Sequence, residues 1–229
     1  MKKIKTLMLI AVPAVLYSCL TTDDEVTAPI IDPPATILVK KDSLTAGKHY
    51  GITIGQAASD AYPGAQLLTD SLGVTYLNLV SNFITDFSTL EQQLPLYSYM
   101  TFDEKAGTSD GVQLWFENRK LKSIYLNGGK RLGQWPESIS ASEAVREGES
   151  SEMTAEKLKS LQGNSRYRPR FEHSMLGVKN LQEAFDPTME QAPEWYFGYK
   201  VDEKDTRYVH VHFIEGKVSY ILVNHMRTL

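Results

Sequence analysis

Much of one stretch of this chain is written twice. At a constant shift of 99 positions, Thr89-Leu90-Glu91-Gln92 lies over Thr188-Met189-Glu190-Gln191, Tyr97 over Tyr196, and Asp103-Glu104-Lys105 over Asp202-Glu203-Lys204. After a two-residue shortening the match resumes at a shift of 97. Val112, Leu114 and Phe116 then meet Val209, Val211 and Phe213, and Leu121, Ile124 and Asn127 meet Val218, Ile221 and Asn224. A match that survives an indel marks a shared structural unit. The chain is therefore expected to fold as two related halves.

Each half opens on a helical pattern. Ile54, Ala58 and Ala61 recur at helical spacing before Pro63-Gly64, which predicts a short helix broken at that point. Met153, Ala155, Leu158 and Leu161 form the second stripe, with Thr154 as the expected cap and Gly163 as the stop. Four candidate strands follow each helix: 74–80, 97–102, 112–116 and 121–126, echoed by 173–178, 196–201, 208–213 and 218–223. The polar connections Glu117-Asn118-Arg119-Lys120 and Ile214-Glu215-Gly216-Lys217 have the residues of tight hairpin turns. The predicted fold is α+β: two tandem repeats, 47–132 and 151–229, each a short helix packed on an antiparallel four-stranded sheet. Residues 133–150, rich in Ser, Glu and Gly, are expected to be a linker.

Alternation along the strands sorts the two faces. One face carries Val112, Leu114 and Phe116 with Met100 and Phe102, echoed by Val209, Val211 and Phe213 with Phe197, Tyr199 and Val201. This is the expected core under the helices. The other face carries Tyr97, Tyr99, Gln113 and Trp115 in the first half, and Tyr196, Lys200, His210 and His212 in the second.

The start of the chain carries an address. Lys2, Lys3 and Lys5 precede an apolar run over 7–16 that is too short for a membrane span, as expected of a signal peptide over residues 1–18. Leu16-Tyr17-Ser18-Cys19 resembles the bacterial lipobox, which implies that Cys19 is acylated and becomes the first residue of a membrane-anchored protein. Residues 19–46 are expected to be the lipidated Cys and a flexible tether, the stretch 20–36 being acidic and Pro-rich. The acidic cluster after Cys19 also resembles the surface-export signal of Bacteroides-lineage lipoproteins. Cys19 is the only cysteine, so intrachain disulfides, thiol nucleophiles and zinc thiolate sites are excluded. Removal of 1–18 takes away three lysines and moves the formal charge from −4 to −4 − 3 = −7. An acidic chain lacks the basic excess that nucleic-acid binding requires.

Tandem units of a helix and an antiparallel four-stranded sheet, with Tyr or Trp entering the sheet and the Val-x-Val-x-Phe-x-x-Gly-Lys-Val hairpin of 209–218, resemble the beta-lactamase inhibitory protein family. They are also similar to the PepSY-like lipoproteins of Bacteroides and to the small lipoprotein subunit of the outer-membrane barrel assembly machine. The resemblance runs over about 50–225 in pattern and is sequence-like in the hairpin alone. It implies an outer-membrane lipoprotein with a protein-binding sheet. The inhibitor's disulfides are absent here, and its inhibitory activity is not carried over.

Four motifs invite chemistry. Gly107-Thr108-Ser109-Asp110-Gly111 fits the nucleophile-elbow string, but such an elbow needs a strand before it and a helix after it, whereas this stretch reads as a hairpin loop. His210 and His212 share a strand face and, with His225 or His173, could ligate a metal, although no acidic fourth ligand is evident. Arg166-Tyr167-Arg168-Pro169-Arg170 reads as a solvated basic loop. The two Asp-Glu-Lys triplets end strands and open loops, where turn chemistry explains them better than acid-base catalysis does.

The resulting expectation has no catalytic residues, no metal and no cofactor. It is a lipid-anchored envelope protein that binds a protein or peptide partner through Tyr97, Tyr99, Trp115, Tyr196 and His212, with Cys19 as the membrane anchor. Its alternatives are a metal-binding protein or enzyme using His210 and His212, and a structural subunit of an outer-membrane assembly. Packing of the two sheet faces against each other is the competing use of the aromatic surface.

Overall fold

The computed structural model describes residues 35–229, so the signal peptide, Cys19 and most of the tether lie outside the described residues. In chain order the elements are β1 (Thr36–Leu44), a ribbon of β2 (Lys48–His49) and β3 (Ile52–Thr53), α1 (Ala58–Gln66), α2 (Leu68–Leu72), β4 (Tyr76–Val80) and α3 (Leu90–Gln93). Then come β5 (Tyr97–Phe102), β6 (Val112–Glu117), β7 (Lys120–Leu126), β8 (Arg131–Leu132), and a second ribbon of β9 (Gln134–Trp135) and β10 (Val145–Arg146). The chain closes with α4 (Ser151–Gly163), β11 (Met175–Asn180), β12 (Glu194–Lys200), β13 (Asp205–Ile214) and β14 (Lys217–Thr228).

Ten of these strands make one antiparallel sheet in the order β1-β14-β13-β12-β4-β11-β5-β6-β7-β8. The first strand of each half pairs in the opposite half: β4 with β12 and β11 with β5, the two meeting each other at the centre. The helices cross over with them. Tyr62 of α1 meets Trp195 of β12 edge-on at 6.3 Å, and the segment entering α1 bonds to β14 through Gly55 N–H to Val218 O. On the other side, Ser151 N–H of α4 donates to Arg119 O beside β7, and Leu121 N–H donates to Glu149 O. Each group of one helix and four strands is thus assembled from both sequence halves within a single sheet. This corrects the expectation of two consecutive domains joined by a linker, and residues 35–229 lie within one compact unit. The expected linker is structural too: Trp135, Ala144 and Val145 are buried, and Trp135 packs on Phe102 and Phe171.

Other expectations change locally. The helix at Ala58 runs through Pro63 rather than breaking there, because Ala58, Ala61, Tyr62 and Ala65 all bury on one side of it. Gly64 serves packing instead: a Cβ there would lie 2.1 Å from the backbone oxygen of Gly51. In α4 the cap is Ser150, whose hydroxyl accepts from Met153 N–H at 3.2 Å, while Thr154 is buried inside the helix and Met153 faces solvent. Residues 36–44 of the expected tether form the edge strand β1, which pairs with β14.

The hairpin expectations fit the backbone. Asn118 and Arg119, like Glu215 and Gly216, have positive φ at both central turn positions, matching the right-handed twist of the flanking strands. A bulge with Lys122 as the extra residue of β7, opposite Trp115 and Phe116, recurs with Ser219 in β14, opposite His212 and Phe213, 97 positions on. The two Asp of the Asp-Glu-Lys triplets both take backbone N–H bonds from their own loops, Asp103 from Thr108 at 2.9 Å and Asp202 from Lys204 at 2.8 Å. The core face is buried over Met100, Phe102, Val112, Leu114, Phe116, Phe197, Val209, Val211 and Phe213, whereas Val201 lies beyond β12 and is exposed.

Candidate functional site

Among the described residues the helices and both ribbons leave the second face of the sheet uncovered, and pairing register sets what stands on it. Residues directly opposite in an antiparallel ladder project to the same side. One continuous row therefore crosses the sheet: Leu222, His210, Tyr196, Asn78, Val178, Tyr99, Trp115. From His210 to Trp115 it passes five strand spacings, roughly 24 Å at ~4.8 Å each. The Tyr99 and Trp115 rings pack at 4.4 Å, tilted by 44°, at one end, and Trp115 is 42% exposed. At the other end Tyr196 stacks on His210 at 5.5 Å, and His212 on Tyr220 at 4.3 Å. Asn78 and Val178 floor the space between the two aromatic ends.

Two glycines make this face flat where the rings lie. A Cβ on Gly177 would come 2.8 Å from the Tyr99 ring, and one on Gly198 would come 2.9 Å from Tyr208. Each ring lies over a position without a side chain, and a substitution there would lift it from the sheet.

Four of the five sequence-predicted contact residues, Tyr99, Trp115, Tyr196 and His212, stand on this face. Tyr97 does not. An extra Ser98 in β5 breaks the alternation there, as an extra Gly177 does in β11, so Tyr97 turns to the helix side and is 3% exposed. Its hydroxyl donates to Asp186 at 2.8 Å and accepts from Asn82 Nδ2 at 3.2 Å. The face-to-face packing alternative also fails among the described residues: both aromatic ends lie side by side on one sheet and cannot cover each other.

Glu194, missed at the sequence level because it precedes the expected strand, sits between the two histidines. Its carboxylate is 2.7 Å from His210 Nδ1 and 3.5 Å from His212 Nδ1. Burial holds the His212 pKa below the ordinary imidazole value, against the opposing pull of Glu194. Desolvation thus favours the neutral form of the ring. His225 lies on the opposite side of β14 and pairs with Asp42 at 2.8 Å, so it cannot join His210 and His212. Among the described residues no three His, Cys, Asp or Glu side chains are placed to hold a metal ion. Ser109 sits in the loop between β5 and β6, so a strand follows it where a nucleophile elbow needs a helix.

Directly behind Val178, Lys179 is fully buried. Its Nζ donates to Asn180 O at 2.8 Å and lies 5.1 Å from the Tyr62 ring centre and 5.8 Å from that of Tyr97. Desolvation lowers its pKa to about 8, with Glu183 and Asp186 opposing. Between that value and the unfolded one of about 10.4, the unfolded chain binds more protons than the folded chain, so stability must rise with pH. Chemical denaturation should give a gain on the order of 1–2 kcal/mol from pH 7.5 to 9.5. In Lys179→Met that gain should vanish; a gain of equal size in the variant would assign it elsewhere.

Among the described residues no helix is long and apolar enough to cross a membrane. Compared with known protein families, curated proteins and solved structures, the chain matches none.

Proposed function

We propose that this chain is a lipid-anchored binding protein of the cell envelope, held on the outer membrane through Cys19, that takes a protein or peptide partner on the uncovered sheet face. The observation that carries the reading is the single transverse row with an aromatic pair at each end. Aromatic side chains offer large contact area at little cost in conformational freedom, and an uncovered aromatic surface of this kind lowers solubility unless a partner covers it. The lipobox-like residues and the acidic stretch behind them support the envelope address.

The test is recovery of partners from an envelope extract with the full chain as bait. Tyr99→Ser combined with Trp115→Ser should abolish recovery while the melting temperature stays within about 3 °C, because neither side chain contributes to the helix-side core. In the free protein the Trp115 indole should be open to a small neutral quencher. Unchanged recovery by the double variant, or its unfolding, would remove this face as the site.

A further inference from the structure

The helix side of the sheet has an end that α1 does not reach, and a second site is built there. Beyond Phe197 and Val209 the core face continues as Tyr199, Arg207 and His225, which oppose one another across β12, β13 and β14. The ribbon β2–β3 roofs this row with Tyr50. The cleft between them has a volume of about 550 Å³, with Lys48 and Asp42 on its sides.

Three features of this cleft are unexplained by folding alone. Arg207 has no carboxylate partner among the described residues; its one hydrogen bond is a 3.5 Å contact to its neighbour's backbone, Thr206 O. Asp42, by contrast, is satisfied within the protein by Lys40 at 2.9 Å and His225 at 2.8 Å, so it does not neutralise the guanidinium. The hydroxyls of Tyr50 and Tyr199 stand 3.5 Å apart, so one of the two protons is left to donate outward. Finally, Tyr50 holds a left-handed backbone at φ 55°, unusual for a bulky residue and typical of positions over-determined by their surroundings at ligand clamps. The turn cannot relax easily, because the adjacent Gly51 is wedged against Gly64 of α1, where a Cβ on either would collide with backbone. The Tyr50 ring is fixed edge-on to Phe197 at 5.8 Å and to Tyr199 at 6.3 Å.

An unpaired planar fork of donors beside a free phenolic proton, in a cleft of an otherwise acidic protein, has the chemistry of an oxyanion receptor. We propose that this cleft binds a small ligand through a carboxylate or phosphate group. Arg207 takes the oxyanion, the Tyr50–Tyr199 pair donates a second bond, and Lys48 adds charge at the mouth. The site lies on the opposite face of the sheet from the aromatic row, so the two are independent.

Calorimetric titration of the full chain at pH 7 with sodium phosphate, and separately with sodium citrate, tests it, with sodium chloride at matched ionic strength as the reference. At least one of the two anions should saturate a single site per chain. Phosphate alone saturating assigns a phosphate-bearing ligand, and citrate alone a carboxylate-bearing one. Arg207→Gln should weaken binding at least about tenfold, and Arg207→Lys by a smaller factor, since the charge remains but the fork is lost. Tyr50→Phe should weaken it about threefold. Should Arg207→Gln fail to fold, Arg207→Lys decides. Lack of saturation by both anions, or wild-type affinity in the decisive arginine variant, overturns the proposal.

Discussion

A chain cut between the two sequence halves should yield fragments that cannot fold apart. With a protease site inserted between the exposed residues Ala141 and Ser142, the nicked protein should keep its native spectrum, because the halves hold each other through the central strands. Once separated in denaturant and returned to buffer singly, each fragment should lack a cooperative melt. The first would keep α1 without Trp195, Phe213 and Val218 beneath it, and β4 without either neighbour. The second would keep β11 with both edges bare and α4 without the strands it covers. Mixed in equal amounts, the two should recover the native far-ultraviolet signal. Independent cooperative folding by either fragment would mean that the exchange of helix and first strand between halves is not how this protein is held together.

That exchange is the part of the architecture that the sequence conceals. Strand content, both tight turns and the two core faces follow from local rules, and residues such as Asn118, Gly216, Leu114 and Val211 obey them. Which strand lies beside which does not. A repeat of helix and four strands is written identically whether each unit closes on itself or passes its first two elements to its twin, because every residue keeps the same face and the same kind of neighbour. The register of the repeat is likewise misread near the loops. In the ladder Phe102 opposes Val112 as Phe197 opposes Val209, which puts Phe102 and Phe197 at equivalent places 95 positions apart, whereas the triplets in the loops align at 99.

The candidate site was legible to the extent that period two holds. Tyr99, Trp115, Tyr196 and His212 follow it. Glu194 escaped because the strand begins two residues earlier than the aromatic pattern suggests. The cleft around Arg207 escaped because its floor and roof come from parts of the chain about 150 positions apart, Tyr50 and Tyr199. Tyr97 escaped because the extra residue that reverses its side is Ser98, which carries no bulge signature, whereas Gly177, a lone glycine inside a strand pattern, marks the neighbouring bulge in β11.

The consequence for Tyr97 is large and measurable. If it stood on the open face beside Tyr99, truncation would cost little, as truncation of Trp115 should, at no more than about 1 kcal/mol for a half-exposed ring. Buried on the helix side, Tyr97 instead packs by Lys179, donates to Asp186 and accepts from the Asn82 amide nitrogen. Tyr97→Ala should therefore cost about 3–5 kcal/mol, in the range of Phe116→Ala and Phe213→Ala, and lower the melting temperature by roughly 10 °C. Tyr97→Phe separates the two contributions. It keeps the ring and removes a donor from a buried carboxylate, so it should cost about 1–3 kcal/mol by itself. Asp186 retains the Thr188 hydroxyl at 2.8 Å, which keeps that loss below the full penalty of an unsatisfied charge. Thermal melts in which Trp115→Ala costs as much as Tyr97→Ala would return Tyr97 to the open face and shift the aromatic row with it.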